Sequence, residues 1–125
     1  MKNIAEMSLG ELEEVYINAI KKAEIAGKAW VEAKAFFESI SDKEKPTLAT
    51  LMGQFKPKEG EKDTHAAKEQ YAYTRTEWLD YLSLVSDARK KYLQGQVDFD
   101  MSKIKIEALR TIISTRRTEI QTFRG

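Results

Sequence analysis

The sequence predicts an all-α protomer: an antiparallel helical hairpin with a long C-terminal helix, coiled-coil-like and homo-oligomeric. Three observations predict it. Ala, Glu, Lys, Leu and Arg fill 57 of 125 positions, close to the half-share typical of long helices and coiled coils. Apolar residues recur at spacings of three and four over most of the chain. Of six glycines and two prolines, Pro46, Gly53, Pro57 and Gly60 crowd into one short stretch, which marks a single main connection. The length suits one helical domain over residues 1–125.

Ser8 followed by Glu11 forms a capping box, in which each side chain satisfies a backbone N–H at a helix start. The first helix is expected at about residues 9–40. Its apolar positions Leu12, Val15, Ala19, Ala23, Ala26, Trp30, Ala33, Phe37 and Ile40 lie on one face. The middle of that seam is mostly alanine, so a second helix can approach closely there. Gly27 weakens the middle by ~1 kcal/mol relative to alanine, a cost that the seam should offset.

Residues 41–63 are expected to form a loop with a short helix over Thr47 to Gln54, with Pro46 in its first turn. Phe55 to Asp63 is polar and turn-rich. Asp63 or Thr64 can cap a second long helix. Its seam reads Ala67, Tyr71, Thr74, Trp78, Tyr81, Val85, Ala88 and Tyr92, a 3.5-residue repeat of the coiled-coil kind. The same phase continues through Gly95, Phe99, Ser102, Ile106, Leu109, Ile113, Arg116, Ile120 and Phe123. Two readings follow: one bent helix over about 64–123, or two helices parting near 95–100, where GQVDFD combines poor helix formers with caps. The unbroken register favours continuity.

Residues 9–40 and 64–95 have equal lengths, so they are expected to pair as a hairpin, leaving 96–123 without a partner inside the chain. That tail carries Phe99, Ile106, Leu109, Ile113 and Ile120 on one seam, and Val97, Met101, Ile104, Ala108 and Ile112 on a second. Two apolar seams on one helix need more than one neighbouring surface. The expectation is homo-oligomerisation beyond a dimer through Phe99, Met101, Ile104, Ile106, Leu109, Ile112, Ile113 and Ile120.

Catalytic equipment is sparse. The chain has no cysteine and one histidine, which excludes thiol catalysis, a disulfide framework and a thiolate zinc site. His65 sits at an expected helix start, where a solvated side chain outweighs a general base. Asp98 and Asp100 read as helix-boundary residues ahead of Mg²⁺ ligands. No glycine-rich phosphate loop is present. The expectation is a protein that is not an enzyme and takes no cofactor or metal. No signal peptide and no run of 18 apolar residues is visible, which predicts an intracellular protein that does not span a membrane.

Charge distribution is more informative than its total of +1. Residues 1–44 hold six Lys against nine Asp/Glu, whereas 103–125 hold Lys103, Lys105, Arg110, Arg116, Arg117 and Arg124 against Glu107 and Glu119. Lys103, Arg110, Arg117 and Arg124 recur every seven residues, forming a row spaced by about 10.5 Å on one helix edge. Hydroxyls at Thr111, Ser114, Thr115 and Thr118 lie among them and can donate to phosphate oxygens beside guanidinium forks. The candidate nucleic-acid-binding set is Lys103, Lys105, Arg110, Ser114, Arg116, Arg117 and Arg124. Such cations also pair with acids on a neighbouring helix, which is the competing reading. Off-seam aromatics, including Tyr16, Phe36 and Tyr73, can stack on unpaired bases but are more often core or rim residues.

The segments AGKAWVEAKAFFE, EWLDYLSLVSDARKKY and IEALRTIISTRRTEI resemble phage recombination mediators of the UvsY type, over roughly residues 16–40 and 66–120. The resemblance implies a non-enzymatic, ring-forming protein that binds single-stranded DNA. It also implies contact with a single-strand binding protein and help in loading a RecA-like recombinase, in the cytoplasm of a bacterial or phage-infected cell. The segments Ala108-Leu109-Arg110-Thr111 and Ser114-Thr115-Arg116-Arg117 would lie in the C-terminal helical part. The loop 46–63 departs from the family. An oligomeric coiled-coil scaffold or adaptor without nucleic-acid binding is the alternative.

Overall fold

A computed structural model describes residues 2–124, Arg124 by its backbone alone. The described residues form a short 3₁₀ turn at Ile4–Glu6 and four α-helices: α1 (Leu9–Ser41), α2 (Glu44–Gly53), α3 (His65–Tyr73) and α4 (Thr76–Arg124), with no strand. No helix among them is long and apolar enough to cross a membrane. The chain divides into two compact units, one of residues 1–31 with 94–125 and one of residues 32–93.

In the first unit, the capping box forms as expected: Glu11 N–H donates to Ser8 Oγ at 3.2 Å and Ser8 N–H to Glu11 Oε1 at 3.5 Å. Lys2 pairs with the same carboxylate at 3.1 Å. This cation, then the Ser8 backbone, holds the Glu11 carboxyl below its ordinary pKa. The segments of α1 and α4 run antiparallel, with Glu13 against Arg117 and Gly27 against Phe99. Leu12, Ala19, Ala23, Leu109 and Ile113 are buried between them.

Two glycines permit this approach. A Cβ on Gly95 would stand 3.3 Å from the Trp30 backbone Cα, and one on Gly27 would stand 3.1 Å from the Phe99 ring. Trp30 and Phe99 stack at 5.7 Å between ring centroids, so each aromatic lies over a glycine of the facing helix. Low helix propensity at Gly27 and Gly95 is thus exchanged for closer packing.

This pairing corrects the expected hairpin. The partner of the first half of α1 is the C-terminal part of α4, so the tail is not left without a neighbour inside the chain. Leu109 and Ile113 are buried, and Phe99, Ile106, Ile112 and Ile120 are partly covered. Met101 and Ile104 remain exposed, as does Val97. In this register the lengths of the helices no longer require an oligomer, but Val97, Met101, Ile104 and Ala108 of the second seam stay exposed while Ile112 is partly covered.

In the second unit, Leu51, Ala72 and Trp78 form a core with Leu48, Met52 and Tyr81 packed on it. Thr64 caps α3 by accepting from Ala67 N–H at 3.1 Å. Phe55 and Tyr71 meet at 5.4 Å and Phe37 stacks on Tyr92 at 5.8 Å. The Tyr81 hydroxyl donates to the Ile40 carbonyl at 2.7 Å. Burial, then the carboxylates of Glu44 and Asp42, raises the Tyr81 pKa. Gly60, at φ +89°, occupies the left-handed region in the turn between α2 and α3.

The expected helix over 64–123 is two helices, and the break lies at Thr74–Arg75 rather than at 95–100. The Thr74 hydroxyl donates back to the Tyr71 carbonyl at 2.9 Å, competing with helical continuation. The turn lets α3 pack on α2 while Trp78 enters the same core. Asp98 and Asp100 are therefore interior helix residues, not boundary caps: Asp98 accepts from Gln94 at 2.9 Å and Asp100 pairs with Lys103 at 3.4 Å.

Candidate nucleic-acid interface

The C-terminal stretch of α4 is one continuous helix, so residues spaced seven apart stay aligned along one edge. Lys103, Arg110 and Arg117 occupy that edge, with side chains roughly three-fifths exposed. Each has an acid nearby. Lys103 meets Asp100 at 3.4 Å and lies 4.8 Å from the centroid of the Phe99 ring, Arg110 meets Glu107 at 3.1 Å, and Arg117 meets Glu13 of α1 at 2.9 Å.

Arg110, Ser114 and Arg117 line one shallow groove with Glu13, Tyr16 and Ile113. The spacing of four and three puts the three α4 side chains on one face within two turns. Antiparallel pairing supplies Tyr16 and Glu13 from α1. A hydrogen bond that the Arg110 guanidinium donates to the Tyr16 hydroxyl oxygen, then the charge of Glu107, holds Arg110 further above its already high pKa. The groove thus combines two permanent cations, a hydroxyl donor and an aromatic ring. That combination can engage a phosphodiester and an unpaired base together.

The remaining predicted residues do not all join it. Arg116 turns inward: its Nη1 donates to the Met7 carbonyl at 2.6 Å and its Nε lies 3.8 Å from Glu119. It anchors the segment entering α1 rather than facing the groove. Lys105 is exposed and enters no ion pair among the described residues. The side chain of Arg124 lies outside the described residues. His65 is exposed and meets Glu69 at 2.7 Å. Among the described residues no group of three carboxylates or histidines could hold a metal ion.

From the sequence Tyr16 reads as a core or rim aromatic, and Glu13 carries no assigned role. The signal that relates both to the basic row is the antiparallel register, a property of the pair of helices. Comparison with family models, curated proteins and solved structures finds no match to this chain. The likeness to UvsY-type mediators therefore stands on the three quoted segments, and the functional reading on the chemistry of the groove.

Proposed function

We propose that this chain is a non-enzymatic, single-stranded-DNA-binding accessory protein that acts as a homo-oligomer in recombination, helping to load a RecA-like recombinase beside a single-strand binding protein. The observation that carries DNA binding is the convergence of Tyr16, Arg110, Ser114 and Arg117 on one open groove. The recombination setting comes from the resemblance alone. Surface ion pairs contribute only ~0–1 kcal/mol, so phosphates can displace Glu107 and Glu13 from their arginines at small cost. One groove holds few cations, so affinity depends on several copies acting together. Binding is salt-sensitive and weakly dependent on base sequence, with log affinity falling linearly against log salt.

Fluorescence anisotropy of a labelled oligothymidine through a salt titration tests this. The expected result is binding at low salt that Arg110→Ala with Arg117→Ala weakens while helicity and particle mass persist. Unchanged affinity in that double variant rejects the groove, and no binding at low salt rejects the function.

The exposed Val97, Met101 and Ile104 favour a second reading, an oligomeric scaffold or adaptor whose interactions are with protein alone. Wild-type protein that self-associates yet ignores the oligonucleotide at every salt concentration would establish it over the first.

A further inference from the structure

The uncovered seam of α4 has a symmetry that specifies its partner. Val97, Met101 and Ile104 are 54, 59 and 62% exposed, and Ala108 continues the row. Their spacings are four, three and four, the same read in either direction. Val97 and Ala108 share a midpoint with Met101 and Ile104, between residues 102 and 103. A second α4 laid antiparallel about that point therefore sets Val97 opposite Ala108 and Met101 opposite Ile104 in every layer. Such self-complementarity is what a two-fold interface requires.

The flanking charges agree. Asp98 and Lys105 lie on the same edge of the row, about 80° round the helix from its axis at ~100° per residue. Neither enters an ion pair among the described residues. Reversing a helix exchanges its left and right edges, so antiparallel copies bring like edges together and place Lys105 beside Asp98 of the second copy. The midpoint of these two is one residue from that of the apolar row, so Lys105 and Asp98 of the second copy are staggered by two residues, about 3 Å along the axis, within reach of a lysine side chain. On the opposite edge, Asp100 and Glu107 are already met by Lys103 and Arg110 of their own helix.

We infer that two copies of this chain pair antiparallel through α4, with Val97, Met101, Ile104 and Ala108 interleaved and Lys105 paired with Asp98 across the interface. This deepens the proposed homo-oligomer and rests on that reading. The pairing leaves the basic row open, because Lys103, Arg110 and Arg117 centre about 150° round the helix from the apolar row. Each pair of chains then carries two grooves running in opposite directions.

The absence of cysteine makes the register directly testable. Val97→Cys and Ala108→Cys are made in separate proteins and oxidised alone and as a mixture. The mixture is expected to give a disulfide-linked pair of both variants, and either variant alone to stay uncrosslinked. Crosslinking of each variant to itself overturns the antiparallel register. Wild-type light scattering is the second measurement, where a mass of one 14.4 kDa chain at micromolar concentration overturns the pairing altogether. Met101→Glu is expected to give that single-chain mass with unchanged helicity, and a retained oligomer in this variant also overturns it. Oligonucleotide anisotropy separates this from the DNA reading: crosslinked protein that binds no DNA sinks the function alone, and monomeric protein that binds DNA sinks the pairing alone.

Discussion

Arg116 separates structural from ligand-binding arginines in this helix, and Arg116→Ala measures the difference. The side chain is 26% exposed and donates to the Met7 carbonyl at 2.6 Å. Hydrogen bonds involving a charged group contribute about 1.5–3 kcal/mol, and partial exposure puts this one near ~2 kcal/mol. The Glu119 pair, at 3.8 Å with a largely exposed carboxylate, adds little. At about 2.1 cal/mol/K per residue for the entropy of unfolding, a loss of ~2 kcal/mol lowers Tm by roughly 8 °C for a chain of this length. Thermal unfolding followed by circular dichroism reads this directly. Arg110→Ala, which removes only a surface pair, is expected to move Tm by no more than about 4 °C on the same scale. The functional order is the reverse: Arg110→Ala weakens oligonucleotide binding and Arg116→Ala leaves it intact in folded protein. If Arg116→Ala leaves Tm unchanged but costs as much affinity as Arg110→Ala, the assignment of Arg116 to the fold is refuted.

Glu13→Gln frees Arg117 from its α1 partner and is expected to raise single-strand affinity by up to about fivefold, the equivalent of ~1 kcal/mol; lower affinity by anisotropy would mean that Glu13 positions the groove rather than competes for it. Gly95→Leu forces a side chain into the Trp30 backbone, and a loss of about 1–3 kcal/mol in urea titrations is expected despite the gain in helix propensity. A more stable variant would show that the two helices separate without cost. Tyr81 has its pKa raised in the folded chain, so its contribution is fully present below the unfolded value near 10 and is lost as pH rises through the folded value. Tyr81→Phe should therefore flatten the alkaline arm of the stability–pH curve and lower neutral-pH stability by about 1 kcal/mol; an unchanged alkaline arm would count against that linkage.

The charge pattern shows how a correct sequence observation acquires its meaning from packing. Acidic residues gather near the N-terminus and basic ones near the C-terminus, and in isolation the basic tail resembles a free cationic row. Antiparallel pairing brings the two sets together, so Arg117 meets Glu13. The row remains exposed, but its charge is matched locally. This moves the candidate site from the whole edge to the groove where Tyr16 adds a ring that phosphate pairing alone does not need.

Both helical seams were legible from spacing because burial of one face imposes a helical period on the residues that face inward. Leu12, Ala19, Ala23, Ala33 and Ile40 on α1, and Trp78, Ala88, Leu109 and Ile113 on α4, are buried as that period requires. The Ser8–Glu11 cap and the continuity of α4 through Gly95 were legible for similarly local reasons. The register was not, because a heptad repeat looks the same after every shift of seven residues. Small-to-large complementarity selects it: Gly27 under Phe99 and Gly95 against Trp30 fit in one alignment of the helices. The break at Thr74–Arg75 was equally hidden, since the seam passes through it without a slip and only the shared core of Leu51, Ala72 and Trp78 makes the turn favourable. Sequence alone therefore determined the faces of these helices, which follow from local periodicity. Tertiary structure decided which faces meet, because that depends on shape matching between residues far apart in the chain.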